Sequence, residues 1–169
     1  MGDDLPDAAD RLAEQAAAFL HEAERAGLTV ATAESCSGGL LASLLTDIEG
    51  LSGSFERGFV TYSNAAKCEL LGVDLALIET RGAVSAPVAE AMVRGALTRS
   101  RAGLACAITG FAGKGQDEND EPGNVFIAVQ REGRAPQVRE FHFGDLGREA
   151  VRYRTAEAAL VLLTDAIRD

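Results

Sequence analysis

The chain has 169 residues, of which 47% are apolar, 25% charged and 5% aromatic. That length fits one domain, residues 1–169, able to bury roughly 70% of its unfolded surface, and the apolar content excludes wholesale disorder. Sixteen Lys plus Arg against 26 Asp plus Glu leave a net charge of −10. Duplex binding needs concentrated positive potential, so nucleic acid is not an indicated partner. No apolar run approaches the ~20 residues that cross a bilayer, and Met1 to Asp10 is acidic where a secretory leader is basic. A cytoplasmic location without membrane contact is expected. Cys36, Cys68 and Cys106 are odd in number and lack metal-finger spacing, which indicates neither a disulfide framework nor a zinc site.

The first periodic stretch runs from about Asp7 to Ala26, with Leu12, Ala16, Phe19, Leu20 and Ala23 at helical intervals and Gly27 as its stop. Leu28 to Ala33 reads as a short buried strand, followed by the turn Ser35-Cys36-Ser37-Gly38-Gly39 and by a helix that Gly50 closes. Gly58 to Tyr62 is a second strand, and Asn64 to Leu71 a two-turn helix ending at Gly72. Ser85 is placed to cap the next helix, with Pro87 in its first turn, where a missing N–H is harmless. Leu104 to Ile108 is a continuous apolar strand from which the loop Thr109 to Gly115 departs, and Gln116 to Glu121 is acidic enough to be a solvated loop.

Val125 to Gln130 and Val138 to Phe143 are joined by too few residues for a crossover helix, so they form antiparallel neighbours. The segment from Thr109 to Asn124 also lacks a helical pattern, so the strand near Val125 reverses direction. A closing helix follows Asp145 and runs to about Ile167. The resulting fold is a three-layer α/β/α sandwich around a mixed five-stranded sheet, with one strand antiparallel to the rest.

Open sheets of this kind bind ligands beyond the carboxyl ends of their parallel strands. Three loops leave such ends here, Ala33 to Gly39, Tyr62 to Lys67 and Thr109 to Gly115. In the first, Ser35 and Cys36 are nucleophile candidates at a helix start where Gly38 and Gly39 expose backbone N–H groups, while Ser35 or Ser37 as a plain helix cap is the duller alternative. No Lys follows the second glycine, which disfavours a phosphate-transfer loop. In the second loop, Tyr62 and Lys67 have the chemistry to move a serine's proton, or are a strand-end aromatic and a solvated helix residue. His21 and His142 lie on elements where structural roles suffice. Arg148, Arg152 and Arg154 crowd the front of the last helix against its dipole, so an anionic ligand would explain them, as would ordinary solvation.

The stretch Thr32-Ala33-Glu34-Ser35-Cys36-Ser37-Gly38-Gly39-Leu40-Leu41-Ala42 resembles the signature of the CinA C-terminal domain family. Further matching blocks are Gly58 to Asn64 with Lys67, Leu70 to Val73, Gly82 to Ser85, Thr109 to Gly113, and Gly144-Asp145 with Arg148, Val151 and Arg152. The resemblance extends from Leu12 onward. Lys114 stands where the family often has proline, and the following acidic segment is also a departure.

The resemblance implies deamidation of nicotinamide mononucleotide to nicotinic acid mononucleotide and ammonia, as in the family's stand-alone members. It implies Ser35 as nucleophile and Tyr62 and Lys67 as proton-handling groups. Oxyanion or substrate contacts are expected from Glu34, Ser37, Gly38, Gly39, Asn64, Thr109, Gly110, Arg148 and Arg152. No step of this acyl transfer needs a metal or a cofactor, and a homo-oligomer is compatible with the sequence. The alternatives are direct attack by water, with Ser35 orienting the amide, and a catalytically silent nucleotide-binding or competence/DNA-damage-associated partner-binding module. Activities resident in the larger amino-terminal domain of two-domain members are not implied for this chain.

Overall fold

A computed structural model describes residues 5–115 and 120–169. The expected solvated loop therefore lies largely outside the described residues, as does the acidic start before Leu5. Five strands form one sheet in the order β2-β1-β3-β4-β5. These are β1 (Val30–Glu34), β2 (Phe55–Val60), β3 (Leu104–Gly110), β4 (Asn124–Arg131) and β5 (Gln137–His142). β1 runs parallel to both β2 and β3, and places Ala33 opposite Phe59 on one side and Ala107 on the other. β4 is antiparallel to β3 and to β5, so it alone opposes the other four. The mixed sheet is the expected one.

The helices divide between the two faces. On one, α1 (Leu5–Arg25), α2 (Leu40–Thr46) and α6 (Arg148–Arg168) enclose a core containing Phe19, Leu20, Leu41, Ile108, Leu160 and Leu163. On the other lie α3 (Asn64–Leu71), α4 (Leu75–Arg81) and α5 (Ala86–Thr98). There the sheet offers Ala31, Ala33, Ala105, Ala107 and Ala128 to Met92 and Val93. An alanine surface lets a helix approach closely. Gly95 extends the same economy to α5 itself, because a Cβ at that position would collide with the backbone carbonyl of Leu71 at the end of α3.

Local chemistry accounts for most boundaries. Ser63 Oγ accepts the Ala66 N–H at 3.0 Å at the start of α3, and Gly72 ends it with φ 71°. α5 departs from expectation in detail: Ser85 holds the N-cap position, but its hydroxyl donates to Gly82 O at 2.8 Å and caps nothing. α2 ends at Thr46, four residues before Gly50, and β2 begins at Phe55, three residues before Gly58. α4 was not among the expected elements. Asp74 caps it by accepting the Ala76 N–H at 3.0 Å, and only Ile78 of its residues is buried. Among the described residues, no helix is long and apolar enough to cross a membrane.

Candidate active site

Glu34 is the last residue of β1, fully buried on the α2 face. Its carboxylate accepts the N–H groups of Gly39 at 3.1 Å, Leu41 at 3.1 Å and Ala42 at 2.8 Å. These are donors that the start of a helix leaves without partners, and α2 has no side-chain cap of its own. Glu34 therefore caps α2 from the preceding strand, with its carboxylate committed to the turn. The turn between them is tied further by Ser35 N–H to Ile108 O at 3.0 Å, Gly38 N–H to Ser35 O at 3.0 Å and Leu40 N–H to Ser37 O at 3.2 Å. Gly38 and Gly39 supply positive φ values of 64° and 94°, a backbone shape that L side chains resist.

The N–H groups of Gly38 and Gly39, expected to face a ligand, are spent inside the turn. That of Ser37 has no intramolecular acceptor among the described residues, and that of Cys36 reaches only its own thiol. Ser37 Oγ is likewise buried without a partner.

Successive residues of an extended strand point to opposite faces, so Ser35 turns away from α2 toward the layer holding α3. There Lys67 Nζ donates to Ser35 Oγ at 3.0 Å and to the Thr61 carbonyl at 2.9 Å. Both side chains are buried, Lys67 with 1% exposure and Ser35 with 8%. No carboxylate among the described residues pairs with this ammonium, and burial drives its pKa below the ordinary lysine value. A desolvated amine beside a serine hydroxyl is one arrangement that can take up the serine's proton. The Thr61 carbonyl, which directs the amine, carried no signal in the sequence.

The neighbouring candidates fall elsewhere. Tyr62 is 62% exposed on the loop between β2 and α3, and no hydrogen bond joins its phenol to Ser35 or Lys67 among the described residues. Asn64 is an exposed first residue of α3, one turn before Lys67. Thr109 Oγ1 donates to Ala83 O at 2.8 Å, and Gly110 lies in register with Val125, where a Cβ would strike the β4 backbone. Both therefore have structural partners. The Cys36 thiol is buried and pushed up to about 12, chiefly by desolvation, so it is not an available thiolate. His21 is exposed on α1, and His142 lies between Glu121 and Glu140 at 3.6 and 3.4 Å; neither joins the pair.

On the α6 side of the turn, a cleft of about 540 Å³ is walled in part by Ser37, Gly38, Gly39, Arg148 and Arg152. Arg148 is exposed, with its guanidinium beside Gly113. Arg152 is half-buried, and its Nε donates to Cys36 O at 2.9 Å. Arg154 pairs instead with Glu157 at 3.3 Å on an exposed surface. The described residues contain no cluster of three or more His, Cys, Asp or Glu suited to a metal ion.

Sheet order and site together define an α/β domain with a buried serine–lysine pair beyond the carboxyl ends of its parallel strands. Residues 11–167 match the family model described as CinA C-terminal domain, and the chain belongs to that family. Among its relatives, a "CinA-like protein" of Geotalea daltonii is 49% identical over 139 residues, covering 81% of this chain and 33% of the relative. One from Mycolicibacterium vanbaalenii is 48% identical over 143 residues, covering 84% and 34%. The chain thus spans about a third of the length of these curated relatives. The crystal structure of competence/damage inducible protein CihA from Agrobacterium tumefaciens superimposes with a TM-score of 0.88 at 42% identity, covering 94% of this chain and 96% of that one. Competence damage-inducible protein A from Klebsiella pneumoniae also gives 0.88, at 28% identity over 93% and 97% of the two chains.

Proposed function

We propose that this domain is an amidohydrolase that converts nicotinamide mononucleotide and water to nicotinic acid mononucleotide and ammonia through an acyl-enzyme on Ser35. The observation that carries the reading is the 3.0 Å contact between Lys67 Nζ and Ser35 Oγ inside a buried site. Burial favours the neutral amine, whose lone pair takes the serine proton as Oγ attacks the carboxamide carbon. The negative charge that develops on the amide oxygen is met by the N–H groups of Cys36 and Ser37. Lys67 then returns the proton to the departing nitrogen and ammonia leaves. Water, deprotonated by the same amine, cleaves the ester and frees the acid. The Thr61 carbonyl keeps the amine directed throughout.

The cleft on the α6 side of the Gly38-Gly39 turn suits the substrate's ribose phosphate, with Arg148 as its exposed cation and Ser37 Oγ as a hydroxyl still lacking a partner. A ligand spanning both sides crosses the turn where two residues have no side chain. Tyr62, at the exposed entrance, is assigned to contact with the bound ring and not to the proton path.

The test is ammonia release from nicotinamide mononucleotide, its riboside and an unrelated carboxamide, with hydroxylamine present to intercept an acyl-enzyme. Expected are release from the mononucleotide, a trapped hydroxamate, and a loss of about 10³-fold or more in Ser35→Ala. Ammonia from none of the three would leave a nucleotide-binding or partner-binding module as the reading. Release without a hydroxamate and with activity in Ser35→Ala would point to direct attack by water.

A further inference from the structure

Arg152 lies at the front of α6, where a cation works against the helix dipole, and a bound phosphate is one explanation for it. The structure points to another. Arg152 Nε donates to Cys36 O at 2.9 Å, and the guanidinium packs on Gly38 so closely that a Cβ there would lie 3.1 Å from Nη2. The Cys36 carbonyl and the Ser37 N–H belong to one peptide unit. That unit is planar and trans, so its two polar bonds point in opposite directions. A carbonyl drawn toward α6 sends the Ser37 N–H away from α6, toward the face on which α3 carries Lys67. This N–H has no acceptor among the described residues.

We infer that Arg152 is a positioning residue that holds and polarises the Cys36–Ser37 peptide so that its N–H serves the developing oxyanion on the Ser35 side. The inference rests on the amidohydrolase reading above. Hydrogen bonds in series strengthen one another, and a charged donor on the carbonyl makes the opposite N–H a better donor. Gly38 belongs to the same device: a side chain there would displace the guanidinium, and its φ of 64° also discourages one. Among the described residues Arg148 makes no hydrogen bond to the turn, and its guanidinium is kept for the cleft. The two arginines, four residues apart on one helix face, thereby have different tasks.

The assignment makes a kinetic distinction. An oxyanion donor acts in the transition state, so weakening it lowers kcat and spares KM, and the loss is the same whether or not the substrate carries a phosphate. Arg152→Met and Arg152→Lys are compared with the wild-type protein on the mononucleotide and on its phosphate-free riboside. Losing a whole oxyanion donor costs about 10²–10³-fold, so loss of its support in Arg152→Met is expected to lower kcat about 10- to 50-fold on both substrates, with KM within about twofold. Arg152→Lys keeps the charge but not the planar donor and should fall between. If Arg152→Met does not fold, Arg152→Lys is held to the same split. A raised KM confined to the mononucleotide would overturn the inference and make Arg152 a phosphate reader. Unchanged kcat in folded variants would overturn it as well. A wild-type protein that releases ammonia from neither substrate would instead remove the amidohydrolase reading, and this inference with it.

Discussion

Glu34 and Lys67 are buried ionisable side chains on opposite faces of the sheet at one end of β1, and the two layers treat them differently. On the α2 side, the Glu34 carboxylate collects three backbone N–H groups within 3.1 Å and is matched by the positive end of a helix. On the α3 side, the Lys67 ammonium has a carbonyl and a hydroxyl but no anion among the described residues. Equal burial thus yields a structural clamp in one layer and a labile proton in the other. Partners determine which, since desolvation penalises a charge in both places and only the carboxylate has a full set of dipoles to offset it.

The comparison breaks most visibly at Lys67. Lys67→Met should lower turnover by about 10²-fold or more, and its effect on stability should have the opposite sign. The folded-state pKa lies below the unfolded lysine value of ~10.4, so between the two the unfolded chain binds more protons and wild-type stability rises with pH. Below the folded-state value the full penalty of a buried ammonium remains. Lys67→Met should therefore melt higher than wild type at neutral pH and lose that part of the pH dependence. Calorimetry between neutral and alkaline pH checks both, and a variant that melts lower at neutral pH would contradict the account. In the wild type, kcat/KM should rise with pH along a limb set by the depressed lysine.

At Glu34 the order of effects is reversed, with stability affected directly. Glu34→Ala leaves three helix-start donors without an acceptor and should cost about 3 kcal/mol in urea unfolding. Glu34→Gln retains one acceptor oxygen and should cost less. Equal unfolding midpoints for wild type and Glu34→Ala would show that the carboxylate does not hold the turn. The smallest effect belongs to Cys36, beside both layers: Cys36→Ala should keep kcat within about threefold. The native thiol, pushed up to about 12, should resist iodoacetamide at neutral pH until the protein is unfolded.

Several of these contacts sit on elements that local chemistry announces. Ser63 and Gly72 frame α3, the Glu34 to Gly39 turn separates a buried strand from a helix, and the short link after Arg131 leaves β4 and β5 no choice but a hairpin. α4 is not legible in the sequence because seven residues with one buried side chain carry no periodic signal, although Asp74 and Gly82 stand at its ends as a cap and a stop. The pairing of Lys67 with Ser35 across 32 residues depends on the parallel crossover between β1 and β2, which no local pattern contains. The commitment of the Gly38 and Gly39 amides to the turn was equally hidden. Glycine pairs advertise exposed N–H groups, and only the position of the Glu34 side chain shows that one of these is occupied.

The contact between Gly95 and the Leu71 carbonyl has a bearing on how this domain can diverge. Among the described residues Lys67 has no anion to anchor it, and its place depends on where α3 rests as a rigid piece. That resting place is a backbone-to-backbone seat against α5, open only while position 95 has no side chain. A single methyl group there would lift the end of α3 and draw the amine away from its hydroxyl, although it would touch neither. Substitution at a residue without functional chemistry would thereby be read out as loss of chemistry, and the reach of selection on this site extends into the packing of a helix on its far side.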